Sequence, residues 1–208
     1  MLRKILSFCF CLCLCFTQIA LAQELNKPDT TSTPTVKVAI LPVITANKNY
    51  PQVNEFLKSS LIQEMHIPLN DTLQTVEYLD DISIHSAMQK ANFTYNQNLD
   101  TLKDTANILS ADIVVGYSIP TMYENYVHTF ALLDDGPVLN SYLSVRLWVY
   151  CRPINKIFVL SDKRQYLDEY SNWGTLPELA KDASLRLERK AELKSLLKQS
   201  IKIKKGES

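Results

Sequence analysis

Residues 139–152 read Leu-Asn-Ser-Tyr-Leu-Ser-Val-Arg-Leu-Trp-Val-Tyr-Cys-Arg, and this alternation decides the fold class. Leu143, Val145, Leu147, Val149 and Cys151 fall on one side of an extended chain. Tyr142, Ser144, Arg146, Trp148 and Tyr150 fall on the other. A two-residue period sustained this long predicts a strand with two different faces. Tyr123 to Leu132 and Lys156 to Tyr166 keep the same period. Turns at Asp134-Asp135-Gly136-Pro137 and at Pro153-Ile154-Asn155 join the three into an antiparallel meander.

Upstream the pattern changes. Asp112 to Ile119 is a short apolar strand that Pro120 is expected to end, and Val36 to Val43 is a β-branched run suited to burial on both faces. Between them, Pro51 opens a helix with Val53, Phe56, Leu57, Ser60, Leu61 and Glu64 at helical spacing, and Pro68 stops it. Leu73 to Leu79 reads as a short strand. Asp80 or Asp81 then caps a helix carrying Ile82, Ile84, Ala87 and Met88, and Asp100 starts another with Leu102, Ala106, Ile108 and Leu109. Thr175 with Glu178 has the form of a capping box for a long last helix, from Leu176 to about Lys202. Its apolar stripe is Leu179, Ala180, Ala183, Leu187, Ala191 and Leu197. The expectation is an α/β domain: one mixed β-sheet, parallel in its first half and an antiparallel meander in its second, with helices packed on it.

The ends of the chain set its address. Arg3 and Lys4 precede the apolar run Ile5 to Phe16, and Ala20-Leu21-Ala22 places small residues where a signal peptidase reads. The run is short for a bilayer span, which needs roughly 20 apolar residues. Residues 1–22 are therefore read as a signal peptide cleaved near Ala22-Gln23, with the protein periplasmic or envelope-associated. Residues 23–35 are a flexible polar leader, 36–202 a single domain, and 203–208 a basic tail. Four of the five cysteines, Cys9, Cys11, Cys13 and Cys15, lie in the apolar run. Leu12 and Leu14 precede Cys13 and Cys15, which disfavours lipid attachment. Cys151 alone remains after cleavage, so no intramolecular disulfide is expected.

Composition argues against most chemistry. With 22 basic and 22 acidic residues the chain has no general attraction for nucleic acid. Its four glycines, Gly116, Gly136, Gly174 and Gly206, never share a loop, so no phosphate cradle is formed. Ser59-Ser60 sits mid-helix and Ser118 in a strand, neither in a nucleophile elbow. Cys151 falls on the apolar register and reads as a buried structural thiol. His66, His85 and His128 lie on different elements; Asp81 and His85 share a helical face, but the plainer reading is a cap and a solvated imidazole. No catalytic, cofactor or metal residue is assigned, and no enzyme is expected.

Three segments bear a family resemblance. Val38-Ala39-Ile40-Leu41-Pro42, Leu109-Ser110-Ala111-Asp112-Ile113-Val114-Val115-Gly116 and Leu143 to Val149 resemble, in order and spacing, an exported family. That family includes the curli-secretion lipoprotein, the amino-terminal domain of the Tol-system β-propeller protein and the lipoprotein activators of penicillin-binding proteins. Ser110 stands where the family has glycine, and the turn near Asp134 is too short for membrane-crossing hairpins. The resemblance therefore implies the globular envelope domain, one that binds or scaffolds another envelope protein, with no catalytic residues to carry over.

Two surfaces could do that work. One is the aromatic register Tyr142, Trp148 and Tyr150 with Arg146, extended by Tyr126 and Phe130 of the neighbouring strand, unless a helix covers it. The other is the basic run Arg186, Arg189, Lys190, Lys194, Lys198 and Lys202, read either as a solvated face or as a contact for anionic lipid or an acidic partner. Self-association and peripheral membrane contact stay open. The alternative to a scaffold is a small enzyme using His85, His128 or Cys151, or a domain with a small-ligand pocket between sheet and helix.

Overall fold

A computed structural model describes residues 35–66, 76–93, 98–127, 137–168 and 174–206. The predicted signal segment, the leader apart from Thr35, the turn at Asp134, His128 and Phe130 lie outside these residues. The described strands are β1 (Val36–Ile40), β2 (Ile44–Thr45), β3 (Val76–Tyr78), β4 (Ile113–Val127), β5 (Val138–Cys151) and β6 (Lys156–Asp168). The helices are α1 (Pro51–Met65), α2 (Asp81–Lys90), α3 (Leu99–Leu109), α4 (Leu176–Ala191) and α5 (Leu193–Lys205). Among the described residues, no helix is long and apolar enough to cross a membrane.

The strands form one mixed sheet in the order β3-β1-β4-β5-β6, with β2 also alongside β4. β1 is parallel to β3 and β4, while β4-β5 and β5-β6 are antiparallel. Each face is covered differently. Leu143, Val145, Leu147, Val149 and Cys151 meet Val53, Leu57 and Leu61 of α1, Leu179 and Ala183 of α4, and Leu196 and Leu197 of α5. On the opposite face Ile84 and Met88 of α2 and Leu102 and Ala106 of α3 pack over Ala39, Val114, Trp148 and Tyr150.

Several boundaries differ from expectation. Pro120 does not end a strand; β4 runs through it as a single strand of 15 residues. Ser118 pairs with Arg146 and Thr121 with Ser144, so Ile119 and Pro120 oppose one residue, Val145. This β-bulge places the missing proline N–H where the β5 ladder is already interrupted, and Ile119 pairs with Thr45 of β2 instead. Asp80 caps α2, accepting from the Ser83 N–H at 2.8 Å. For α3 the cap is Asn98, not Asp100, in a reciprocal box with Thr101. The Thr175 side chain forms no capping bond; the Glu124 carboxylate takes that place, accepting from the Leu176 N–H at 2.8 Å.

The long C-terminal helix is bent. Glu192 adopts a left-handed conformation, φ 53°, dividing α4 from α5. The bend turns Leu193, Leu196, Leu197 and Ser200 into the core. Residues 203–205, the start of the expected basic tail, continue the helix, so α5 runs to Lys205. The Lys204 ammonium bonds the Asp112 carboxylate at 2.6 Å and the Thr35 carbonyl at 2.8 Å. Asp112 also accepts from the Lys37 N–H at 2.8 Å, so one carboxylate joins the start of β1, the start of β4 and the last helix. Just before it, Ser110 ends α3 at φ 50°. That is a geometry glycine adopts more readily than serine.

Gly116 of β4 lies beneath Leu41. A Cβ there would stand 2.7 Å from the Leu41 Cβ, closer than carbon atoms pack. Gly116→Ala is expected to lower stability by about 1–3 kcal/mol through overpacking. Chemical denaturation of the single variant and of the pair with Leu41→Gly checks this, each against Leu41→Gly alone. The second change should return part of the loss, and strict additivity would contradict the clash.

Candidate partner-binding face

The helical cover on the α2–α3 side stops partway along the sheet. Trp148 and Tyr150 are each only 6% exposed, buried under α3 with Leu102 and Ala106. The Trp148 indole N–H donates to Ser118 Oγ at 2.8 Å. These two rings, two of the three in the β5 register, are core and not surface, which is the covered alternative for that part of the face. The cover comes from α2 and α3, which pack here because the early crossovers deliver them to this face.

From Arg146 onward no described helix covers the same face, although the small Ser144 is buried between its neighbours. Tyr142 is half-buried and Arg146 exposed. Tyr123 of β4 pairs directly with Tyr142, and their rings stack with centroids 5.5 Å apart and an interplanar angle of 16°. Thr121 and Asn125 of β4 and Ser161, Lys163, Gln165 and Leu167 of β6 complete this face, all exposed. Arg146 and Lys163 are its two cations, and among the described residues it carries no carboxylate. Tyr126 is not part of it. It pairs with Leu139, on the side of the sheet that α4 approaches, because the extra residue at the bulge reverses the parity of β4. Tyr123 and Lys163 were missed in the sequence because their facing depends on that bulge and on cross-strand register.

The residues weighed for chemistry stand apart. Cys151 is buried beneath α5, with Ser200 Oγ 3.1 Å from its sulfur, and burial pushes its thiol above the ordinary range against the opposing effect of that bond. His85 is exposed on α2 with Nδ1 2.7 Å from the Asp81 carbonyl, while the Asp81 carboxylate pairs with Lys58 at 2.9 Å. His66 is exposed at the end of α1. A cleft of about 530 Å³ lies between β6 and the α4–α5 bend, lined by Phe158, Leu160, Lys190, Ala191 and Leu196 among others.

A buried polar cluster escaped the sequence reading. Glu188 of α4, 5% exposed, accepts from the Tyr117 hydroxyl at 2.9 Å and the Ser60 hydroxyl at 2.8 Å. Ser184 lies beside Ser60 and donates to the Lys181 carbonyl at 3.0 Å. Desolvation raises the Glu188 carboxyl above its ordinary value, opposed by the two hydroxyl bonds. Burial also raises Tyr117 far above the phenol range, so its hydroxyl keeps its proton and donates. The cluster ties α1, β4 and α4 together inside the core.

No family model matches the chain, and no curated protein matches it. Several solved structures align with most of the chain at low identity. A putative neuraminyllactose-binding hemagglutinin homolog from Helicobacter pylori is 11% identical with a TM-score of 0.42, covering 86% of this chain and 94% of that one. Lipoprotein GNA1162 from Neisseria meningitidis is 12% identical with a TM-score of 0.37, covering 76% and 99%. The LpoB C-terminal domain from Salmonella enterica is 12% identical with a TM-score of 0.33, covering 71% and 93%.

Proposed function

We propose that this protein is a non-catalytic, exported envelope module that holds another envelope protein against the open half of its sheet. The observation that carries the reading is the Tyr123–Tyr142 stack, set with Arg146 and Lys163 on a face that no described helix covers. Rigid aromatic rings beside an arginine are the residue types that concentrate binding energy at protein interfaces. Two cations without a carboxylate among them favour an acidic partner surface. The basic, apolar start of the sequence supports export.

A photoreactive residue placed at Gln165, on the same face, tests this in the native cells. The expected result is one discrete adduct with a second protein. It should fall at least tenfold in Tyr123→Ala/Tyr142→Ala and be absent when the probe replaces Lys103 on α3. An adduct of twice the chain's own mass would reassign the face to self-association. Equal labelling from both probe sites would end the proposal.

A further inference from the structure

The basic run does not act as one patch. Lys194 is held by Glu64 at 3.0 Å, Lys204 by Asp112, and Arg186 lies 3.6 Å from Asp182. What remains on α5 is a row of exposed cations, Lys198, Lys202 and Lys205, with no ion pair among the described residues. They recur at intervals of four and three residues, and so share one side of the helix. α5 contains no acidic residue at all. Lysines one turn apart repel each other, a cost an opposing anionic surface relieves. Ile203 is 50% exposed, but it lies about 100° round the helix from Lys202, in line with Leu196, and is not part of this row. Ser195 and Gln199 sit with Lys198 and Lys202 in a shallow depression that brings hydrogen-bond donors to the same place.

We infer that α5 is a docking face for an anionic phospholipid surface. Lys198, Lys202 and Lys205 meet the headgroup phosphates. A row of cations on the solvent side of an amphipathic helix is drawn to an anionic headgroup layer. The contact is peripheral, because the opposite side of α5 (Leu193, Leu196, Leu197 and Ser200) is committed to the core. The inference is independent of the Tyr123–Tyr142 face.

Flotation of the mature protein with vesicles tests it. Vesicles of phosphatidylcholine containing about one-third phosphatidylglycerol should carry the protein at low salt, and pure phosphatidylcholine should not. Raising the salt should weaken binding. Each lysine near an anionic surface contributes about fivefold to partitioning, so Lys198→Glu/Lys202→Glu should lower it by at least about 25-fold. Lys90→Glu/Lys103→Glu makes the same change in net charge on the opposite helical layer and should bind as the native protein does. Failure of the native protein to float, or equal loss in both double variants, would overturn the inference. Full competition by millimolar inorganic phosphate would also overturn it, because it would identify a small-anion site instead.

Discussion

Trp148→Ala is expected to destabilise the domain by about 3–5 kcal/mol, because it empties a ring-sized volume at the sheet–α3 contact. It also leaves the Ser118 hydroxyl without the indole that donates to it. For a domain of this size the loss corresponds to a fall of about 6–20 °C in the thermal midpoint. Tyr142→Ala, six residues earlier on the same side of the same strand, should cost only about 1 kcal/mol, the order of a partly exposed cross-strand aromatic pair. Thermal unfolding of both variants followed by circular dichroism separates the two environments. Similar losses in the two, or a native midpoint for Trp148→Ala, would mean that the helical cover is misplaced.

The second large effect concerns Glu188. Glu188→Ala removes the acceptor of both the Tyr117 and Ser60 hydroxyls, and each unsatisfied group costs about 1–3 kcal/mol. A loss of about 2–4 kcal/mol is expected. Glu188→Gln keeps an acceptor oxygen without the charge and should behave in the opposite sense. The folded carboxyl titrates above its ordinary value of 4.5. Between that value and the raised one, the folded protein keeps a proton that the unfolded chain has released. Unfolding therefore releases a proton in this window, and stability falls as pH rises through it. Below the window the charge makes no contribution; above it the full penalty remains. The stability of Glu188→Gln relative to native should thus improve as pH rises. Urea midpoints across the acid-to-neutral range measure it, and a native advantage that grows with pH would show the carboxylate to be favoured by its bonds over its burial.

What the sequence disclosed depended on the range of the interaction. The alternation from Leu139 to Arg152 follows from pleat geometry alone, so β5 and its apolar side were legible in full. The β5–β6 turn was also legible, although Asn155, at φ 50°, holds the left-handed position there that glycine often fills. Pro120 misled because the rule that proline ends a strand assumes a ladder bond at that position, and the bulge supplies none. Tyr123 was lost with it, since one extra residue changes which side of the sheet every later side chain faces. The break at Glu192 has no local signal. No glycine or proline lies near it, and the bend is imposed by the core contacts of Leu196 and Leu197. The covered state of Trp148 was likewise decided by helices remote in sequence. The Tyr117–Glu188–Ser60 cluster joins residues separated by 71 and 128 positions, beyond the reach of any periodicity.

The length of β4, β5 and β6 has a mechanical consequence. The same strands that carry the exposed tyrosines continue, unbroken by any loop, into the part of the sheet clamped between two layers of helix. A molecule seated on the tyrosines and pulled along the strand direction would strain rows of backbone bonds that lie across the load. Those bonds share the force in shear and resist together, whereas bonds unzipped from one end fail in turn.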